Sequence, residues 1–85
     1  MNFIYSKHSL EQIKLRELDQ GIIDDLLENP DQVIKQDNHS VFFQKLVKQD
    51  NKLYLFRVLV NTEKRPQMVI TAYKTSKIEK YENQV

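Results

Sequence analysis

The hydrophobic period of the chain changes at Asn29-Pro30, and this change limits the fold more than any other feature. Before it, apolar residues recur at the spacing that places them on one face of a helix: Ile22, Ile23, Leu26 and Leu27. Proline disfavours helical geometry in the residue before it, so this helix ends there. After it come four runs rich in Val, Ile, Phe and Tyr, as in strands: residues 32–36, 41–48, 53–61 and 68–74. The sequence therefore predicts helices first and a sheet second.

The two ends of the chain complete the predicted order of elements. Residues 2–6 alternate apolar and polar side chains and predict a short strand. Ser6 is the predicted N-cap of a first helix that ends near Arg16, with Ser9 as a second candidate, and Asp19 is the predicted N-cap of the second helix. Residues 75–82 predict a short terminal helix. The order β–α–α–β–β–β–β–α predicts an α+β fold, in which two N-terminal helices pack on one face of a mainly antiparallel sheet of four to five strands.

Size and composition narrow the class of protein. The 85 residues predict one domain, residues 1–85, because a chain of this size builds a single small core. Since it has no cysteine, the chain forms no disulfide scaffold and no thiolate metal site, which suits a reducing cytosol. It has no apolar run of the ~20 residues that a membrane span requires, and its first residues lack the regions of a signal peptide. We therefore expect a cytoplasmic protein with no membrane partner.

Charge is unevenly distributed, although the net charge is only +1. Residues 10–40 contain eight acidic and three basic side chains, a net charge of −5. Residues 64–80 contain five basic side chains and one acidic side chain, a net charge of +4. A basic segment of this kind suits a phosphate backbone, and scattered solvated charges explain the same counts equally well.

Strand alternation assigns side chains to the two faces of the predicted sheet. The assignment assumes that Asp50-Asn51 forms a two-residue turn and that Asn61 pairs with Gln67 across the next loop. One face then carries Phe42, Gln44, Leu46, Leu55, Arg57, Thr71 and Tyr73. The other face carries Phe43, Tyr54, Phe56, Val58, Ile70 and Ala72. We expect the helices to cover this second, more apolar face.

Arg57 is the most informative residue of the sheet, because it lies in the middle of an otherwise apolar run. A charge in such a place is costly unless it is paired or faces an open groove. A structural interpretation pairs Arg57 with a helix carboxylate such as Glu11, or stacks it on Tyr73. A functional interpretation places its guanidinium at the floor of an anion-binding groove, since the planar fork meets two phosphate oxygens at once. Both interpretations remain open.

Several segments together resemble a widespread family of small bacterial proteins. The opening segments are Tyr-Ser-Lys-His-Ser-Leu-Glu-Gln at residues 5–12, then Arg16, then Leu-Glu-Asn-Pro at residues 27–30. The closing segments are Leu-Phe-Arg-Val at residues 55–58 and Val-Ile-Thr-Ala-Tyr-Lys-Thr-Ser-Lys-Ile-Glu-Lys-Tyr at residues 69–81. The family is classed as a domain of unknown function and is placed near the RelE, ParE and BrnT toxins.

Two positions depart from the pattern of that family. Glu17 stands where a glycine commonly follows the arginine. This departure lies in the predicted turn between the two helices and affects its expected geometry. Glu82 follows Tyr81 where an aromatic residue is common. This departure affects the expected packing of the terminal helix.

The resemblance implies a RelE-like fold and the toxin component of a toxin–antitoxin pair. RelE-type toxins cut mRNA, usually on the ribosome and without metal or cofactor, by attack of a ribose 2′-hydroxyl on the adjacent phosphate. The implied partners are a cognate small antitoxin protein, mRNA and the ribosome. ParE-type relatives poison gyrase instead, so the alternative function is a non-catalytic module that binds a partner protein or gyrase. An RNA-binding accessory protein is a third hypothesis.

The resemblance also implies site residues, at the positions that match the motif: His8, Arg16, Arg57, Tyr73, Lys74 and Lys77. His8 would be the catalytic base or acid, because its ordinary pKa lies near neutrality. Arg57 would stabilise the extra phosphate charge, and Tyr73 would stack on a base or donate a proton. The remaining three cations would hold the RNA strand.

Each of these residues also has an ordinary structural interpretation. His8 suits the first turn of a helix, Tyr73 suits the interior of a sheet, and the C-terminal lysines suit a solvated helix face. A metal site is not expected, since the two histidines, His8 and His39, stand far apart in the sequence and no ligand cluster surrounds either of them.

Overall fold

The computed structural model describes residues 2–82. In chain order the elements are β1 (Phe3–Tyr5), α1 (Lys7–Leu15), α2 (Gln20–Glu28), β2 (Gln32–Lys35), β3 (Ser40–Gln49), β4 (Lys52–Asn61), β5 (Gln67–Thr75) and α3 (Glu79–Glu82). The strands form one sheet in the order β1-β5-β4-β3-β2. β1 is parallel to β5 and the other neighbours are antiparallel. The predicted α+β class is confirmed, with a mixed sheet of five strands and three helices in the described part of the chain.

Both predicted N-caps are confirmed. The Ser6 hydroxyl oxygen accepts a hydrogen bond from the Ser9 amide at 3.0 Å. The Asp19 carboxylate accepts from the amides of Gly21 at 2.8 Å and Ile22 at 3.3 Å. These side chains satisfy amides that have no partner inside the helix, so the two helices begin where the sequence predicts.

The turn between α1 and α2 contains a residue in the left-handed region. Glu17 has φ 54°, and the Leu18 amide donates to the carbonyl of Ile13 at 2.9 Å. Helices often end in this way, with a glycine in the left-handed position because it has no Cβ to clash. Glu17 occupies that position at a steric cost, and Leu18 is buried just after it with 8% of its surface exposed.

The β3–β4 hairpin has the predicted register. Gln49 pairs with Lys52, and Gln44 pairs with Arg57. The turn residues Asp50 and Asn51 have φ values of 52° and 64°, which is the pattern of the two-residue turns that suit tight hairpins. The predicted position of Arg57 relative to β3 is therefore confirmed.

The predicted register between β4 and β5 is wrong. Asn61 pairs with Met68 rather than Gln67, and an irregularity follows between Leu59 and Val60. Beyond it Arg57 lies opposite Tyr73, not opposite Thr71. The sequence carries no glycine or proline at this point of β5, so nothing in it indicates where the ladder is interrupted.

The same bulge explains which side chains of β5 enter the core. Leu59 pairs with Thr71 and Val60 pairs with Val69, so Ile70 is the extra residue. Val69 is fully buried in the core, where the sequence had predicted Ile70. Past the bulge the shift amounts to two residues, and a shift of two keeps each side chain on its predicted face. Tyr73 therefore still shares a face with Arg57.

The core lies on the face of the sheet that carries Phe56 and Val58, here called the core face. Its buried members are Ile13, Leu18, Ile23, Leu26, Leu27, Phe43, Phe56, Val58, Val60, Val69 and Ala72. Because alternate residues of a strand point to opposite faces, Arg57 points to the other side, here called the Arg57 face. Within residues 2–82, no helix has the length and apolarity needed to cross a membrane.

The terminal helix α3 is shorter than predicted. The expected helix covers residues 75–82, whereas β5 continues to Thr75 and the helix is limited to Glu79–Glu82. The Thr75 hydroxyl accepts from the Lys77 amide at 3.0 Å, which is a turn contact rather than a helical one. This turn allows Tyr81 of α3 to reach the Arg57 face.

Candidate functional site

Arg57 lies at the centre of the candidate site and is held by side chains of the neighbouring strands. Only 4% of its surface is exposed. Its Nε donates to Gln44 Oε1 at 2.9 Å, and its Nη1 donates to the Tyr73 hydroxyl at 2.8 Å. Gln44 and Tyr73 are the direct cross-strand partners of Arg57 on β3 and β5. The register of the sheet therefore fixes the direction of the guanidinium.

Two aromatic rings contact the guanidinium of Arg57. Its Cζ lies 4.0 Å from the ring centre of Phe42 and 4.3 Å from that of Tyr81. Phe42 comes from β3, and Tyr81 comes from α3 after the chain has left the sheet. Both distances are within the range in which a cation is attracted to an aromatic face. Phe42 and Tyr81 thus place aromatic faces against the guanidinium, on the face of the sheet opposite the core.

The side chains of Tyr73 and Tyr81 lie next to each other beside Arg57. Their rings meet edge to face, with centres 6.5 Å apart. Burial, and then the hydrogen bond to Tyr81, raise the pKa of Tyr73 above its ordinary value. The hydrogen bond from Tyr73 lowers the pKa of Tyr81, and the positive charges of Lys80 and Arg57 act in the same direction. Tyr81 is therefore the phenol that ionises more readily, and Tyr73 is the one that keeps its proton.

Gln44 connects this cluster to the edge of the sheet. It is 1% exposed, and its amide nitrogen donates to Gln32 Oε1 while its oxygen accepts from Arg57. A cavity of about 170 Å³ adjoins it on the same face. Its lining residues are Asp31, Gln32, Gln44, Leu46 and Leu55.

His8 lies away from the Arg57 cluster. It is exposed in the first turn of α1, a helix that places Ile13 in the core on the opposite face of the sheet. Within residues 2–82 the side chain of His8 forms no hydrogen bond or ion pair, and therefore none with Arg57 or Tyr73. Of the three predicted catalytic residues, the fold brings two together, Arg57 and Tyr73, and leaves His8 apart.

Arg16 binds the backbone of β5. Its Nη1 donates to the carbonyl of Ala72 at 2.7 Å and to the Thr71 hydroxyl at 3.4 Å. β1 pairs only with the first residues of β5, so this carbonyl lies on a stretch of strand that β1 leaves uncovered. Arg16 therefore fastens the end of α1 to the sheet.

Lys74 and Lys77 lie outside the Arg57 cluster as well. Lys74 follows Tyr73 on β5 and so points to the core face, where its Nζ donates to Gln49 Oε1 at 2.7 Å. Lys77 is exposed in the segment that leads to α3. The predicted cations are thus distributed over both sides of the sheet instead of lining one groove with Arg57.

Tyr81 is a residue of the candidate site that the sequence did not predict. Tyr81 ends the closing segment that carries the family resemblance, but a turn of unpredictable geometry separates it from β5. Phe42 and Gln44 are recoverable from the sequence, because the hairpin register places them on the Arg57 face. In the described part of the chain, no group of three His, Asp or Glu side chains is placed to hold a metal ion.

Comparison with known proteins gives one match. A protein family matches residues 5–74, which include Arg57, Tyr73 and Lys74 but not Tyr81. No curated protein and no solved structure matches the chain significantly. Since the matched residues span most of the 85-residue chain, it belongs to the family described as Domain of unknown function (DUF4258).

Proposed function

We propose that this protein is a toxin of a toxin–antitoxin pair and cuts mRNA at the Arg57 cluster. The proposal includes a RelE-like arrangement of the fold and a relationship to the RelE, ParE and BrnT toxins. One observation carries it: a guanidinium whose Nη1 donates to the phenol of Tyr73, with the ring of Tyr81 centred 4.3 Å from its Cζ. A cation beside two phenols of different acidity provides charge stabilisation and proton transfer in one place. An mRNA substrate places the activity in the cytoplasm.

In the proposed reaction, the 2′-hydroxyl of one nucleotide attacks the phosphorus that follows it. The Tyr81 phenolate accepts the 2′-proton, because its pKa is the lowered one of the pair. The new O2′–P bond forms as the P–O5′ bond breaks, which leaves a 2′,3′-cyclic phosphate and a 5′-hydroxyl. Tyr73 donates the proton to O5′ and recovers one from the neighbouring hydroxyl of Tyr81, which restores both phenols to their starting states. Arg57 stabilises the negative charge that gathers on the phosphate oxygens.

Access to Arg57 requires Tyr81 to move. The guanidinium is 4% exposed, and the Tyr81 ring covers it from a helix of four residues. A single helical turn has few backbone hydrogen bonds of its own and is not stable in isolation, so we expect its displacement to cost little free energy. Incoming RNA would take the place of the Tyr81 ring on the guanidinium while the Tyr81 hydroxyl stays within reach of the 2′-oxygen.

The proposed substrate position excludes His8 from proton transfer, because its helix covers the opposite face. The proposal therefore moves the role of base from His8 to Tyr81. Arg16 has a structural role at the edge of β5, and Lys77 remains a candidate for contact with the RNA strand near α3.

The test is cleavage of RNA by purified protein, alone and with translating ribosomes. We expect products that end in a 2′,3′-cyclic phosphate, and no cleavage where the attacking nucleotide lacks its 2′-hydroxyl. Tyr73→Phe removes the phenol that donates and should slow cleavage by about 100-fold or more. Tyr5→Phe, a phenol on another strand, and His8→Ala should retain the rate. Intact RNA in every condition, from a folded protein, would contradict the proposal.

A second candidate function is a non-catalytic module that binds a partner protein, either an antitoxin or gyrase. The observation that favours it is the apolar character of the Arg57 face near the hairpin end. Leu46 is 37% exposed and Leu53 is 46% exposed, and the cavity lined by Leu46 and Leu55 lies beside them. Exposed leucines next to a cavity suit the apolar side chains of a bound segment.

The two functions are separated by growth and supercoiling assays. Under the first, expression of the chain arrests growth and Tyr73→Phe relieves the arrest. Under the second, Leu46→Asp relieves the arrest and Tyr73→Phe does not, and gyrase supercoiling is inhibited where gyrase is the partner. Under either, co-expression of an antitoxin should restore growth.

A further inference from the structure

Two lysines share one aromatic ring on the core face of the sheet. Lys74 Nζ lies 4.5 Å from the ring centre of Tyr54, and Lys52 Nζ lies 5.6 Å from the same centre. Lys74 also donates to Gln49 Oε1 at 2.7 Å. Lys52 and Tyr54 belong to β4, and Lys74 belongs to β5. The sheet register therefore holds the two ammonium groups around the ring.

This cluster lies at the hairpin end of the sheet, on the opposite side from Arg57. Tyr54 precedes Phe56 by two residues on β4, so both point to the core face. Lys45 on the same face forms an ion pair with Asp25 of α2 at 3.1 Å. Lys52 and Lys74 lie farther along the hairpin, and their contacts are with a ring and an amide. Among the described residues 2–82, α2 thus pairs with Lys45 of this face, and no carboxylate forms an ion pair with Lys52 or Lys74.

The arrangement is electrostatically suited to an anion. Two ammonium groups around one ring repel each other, and a ring or an amide compensates a positive charge only in part. A phosphate group between them would remove the repulsion and meet donors from both lysines. Adjacent bases of the same strand could then stack on Tyr54 once the ammonium groups turn toward the phosphate.

We propose that Lys52, Tyr54 and Lys74 form a binding site for the backbone of single-stranded nucleic acid, distinct from the Arg57 cluster. The proposal commits to nucleic acid because the site combines point charges for phosphate with an aromatic surface for bases. A protein partner with acidic side chains would use the charges but gain nothing from the ring. Binding here does not depend on whether the Arg57 cluster is catalytic.

The test measures the affinity of the full chain for a fluorescent ten-nucleotide oligouridine at several salt concentrations. The double variant Lys52→Gln/Lys74→Gln should lower the affinity about tenfold and reduce the slope of log K against log salt by roughly 1.4, since each phosphate contact in a single strand contributes about 0.7. The matched control is Lys14→Gln/Lys35→Gln, which removes two exposed lysines from α1 and β2. It should change the affinity less than twofold.

The contribution of the ring is tested separately. Tyr54→Leu should weaken binding several-fold with no change of the salt slope, whereas Tyr54→Phe should bind as the parent does. Circular dichroism and thermal unfolding establish that each variant is folded. Equal losses in the lysine variant and its control, or no binding by the parent chain, would overturn the proposal.

The outcome is independent of the proposed cleavage. Arg57→Met should abolish cleavage, and the loss of oligouridine affinity caused by Lys52→Gln/Lys74→Gln should be the same in the Arg57→Met background as in the parent. A chain that binds through Lys52 and Lys74 but cuts nothing supports this site and contradicts the nuclease. A chain that cuts RNA equally well with both lysines replaced, and binds it equally well, supports the nuclease and contradicts this site.

Discussion

The two faces of β4 carry side chains that are equally buried but held in different ways. Phe56 and Val58 on the core face are at most 1% exposed and pack among aliphatic and aromatic neighbours. Arg57 between them is 4% exposed and depends on hydrogen bonds to Gln44 and Tyr73 and on two rings. The core face gains stability from the burial of apolar area. On the Arg57 face, polar and aromatic contacts hold one charged side chain in place.

This difference raises the question of why the chain has an arginine at position 57. An apolar side chain of similar size at position 57 would pack between Phe42 and Tyr81 without needing a hydrogen bond, and buried charges can often be replaced in this way at little cost. The polar contacts therefore serve the position of the guanidinium more than the stability of the fold. Variants on the two faces test whether stability depends mainly on the core face and the position of the guanidinium on its polar contacts.

The largest expected effect is on the core face. Phe56→Ala should lower the free energy of unfolding by about 3–5 kcal/mol, because it removes a fully buried ring and leaves a cavity. Leu46→Ala, on the Arg57 face and 37% exposed, should lower it by about 1 kcal/mol or less. Urea unfolding measures both. Equal losses would mean that the two faces do not differ as described.

A smaller effect is expected from the polar contacts of Arg57. Gln44→Leu removes the acceptor of Arg57 Nε and should cost about 2 kcal/mol, since a buried charged donor loses its partner. In the Arg57→Met background the same change should cost about 1 kcal/mol less, because no guanidinium remains to be satisfied. A double-mutant cycle by urea unfolding measures the coupling. Strictly additive losses would show that Gln44 does not hold Arg57.

A substitution in the turn between α1 and α2 should increase the stability of the protein. Glu17→Gly should raise the free energy of unfolding by about 1 kcal/mol, because glycine adopts φ 54° without steric cost. The matched control, Lys14→Gly, lies inside α1 and should lower the free energy by about 1 kcal/mol. A loss of stability in both variants would contradict the assigned conformation of Glu17.

The smallest effect is a difference in ionisation between two phenols. Tyr81 should ionise below its ordinary pKa of 10 and Tyr73 above it. Phenolate absorbance is measured as the pH is raised, for the parent and for Tyr81→Phe. The difference between the two curves gives the ionisation of Tyr81. Arg57→Met should raise the pKa of Tyr81, because a positive charge that favours phenolate is lost. An unchanged pKa of Tyr81 in Arg57→Met would show that the guanidinium does not influence the ionisation of this phenol.

The elements that follow from local chemistry were predictable from the sequence. Ser6 and Asp19 begin their helices because their oxygens accept amides two or three residues on. The Asp50-Asn51 turn fixes the β3–β4 register, and with it the position of Arg57 opposite Gln44.

Two features were not predictable, and for different reasons. The bulge at Ile70 lies where the pairing of β1 with β5 ends, at Val69, and no local residue preference indicates it. The contact of Tyr81 with Arg57 depends on the path of the chain after Thr75, where a turn replaces the expected start of a helix. Consequently Arg57 and Tyr73 were found together, His8 was grouped with them although it lies elsewhere, and Tyr81 was missed.

The most direct test of the Arg57 site is the resonance of the Arg57 Nε–H group, followed by NMR during titration with an oligoribonucleotide that cannot be cut because each 2′-hydroxyl is methylated. The proposed site predicts a saturable shift of this resonance, together with loss of the contact between Arg57 and the Tyr81 ring. The same experiment with Lys52→Gln/Lys74→Gln should show the shift at higher RNA concentration. An Arg57 resonance that does not move while the RNA is bound would contradict a role for this residue in binding RNA.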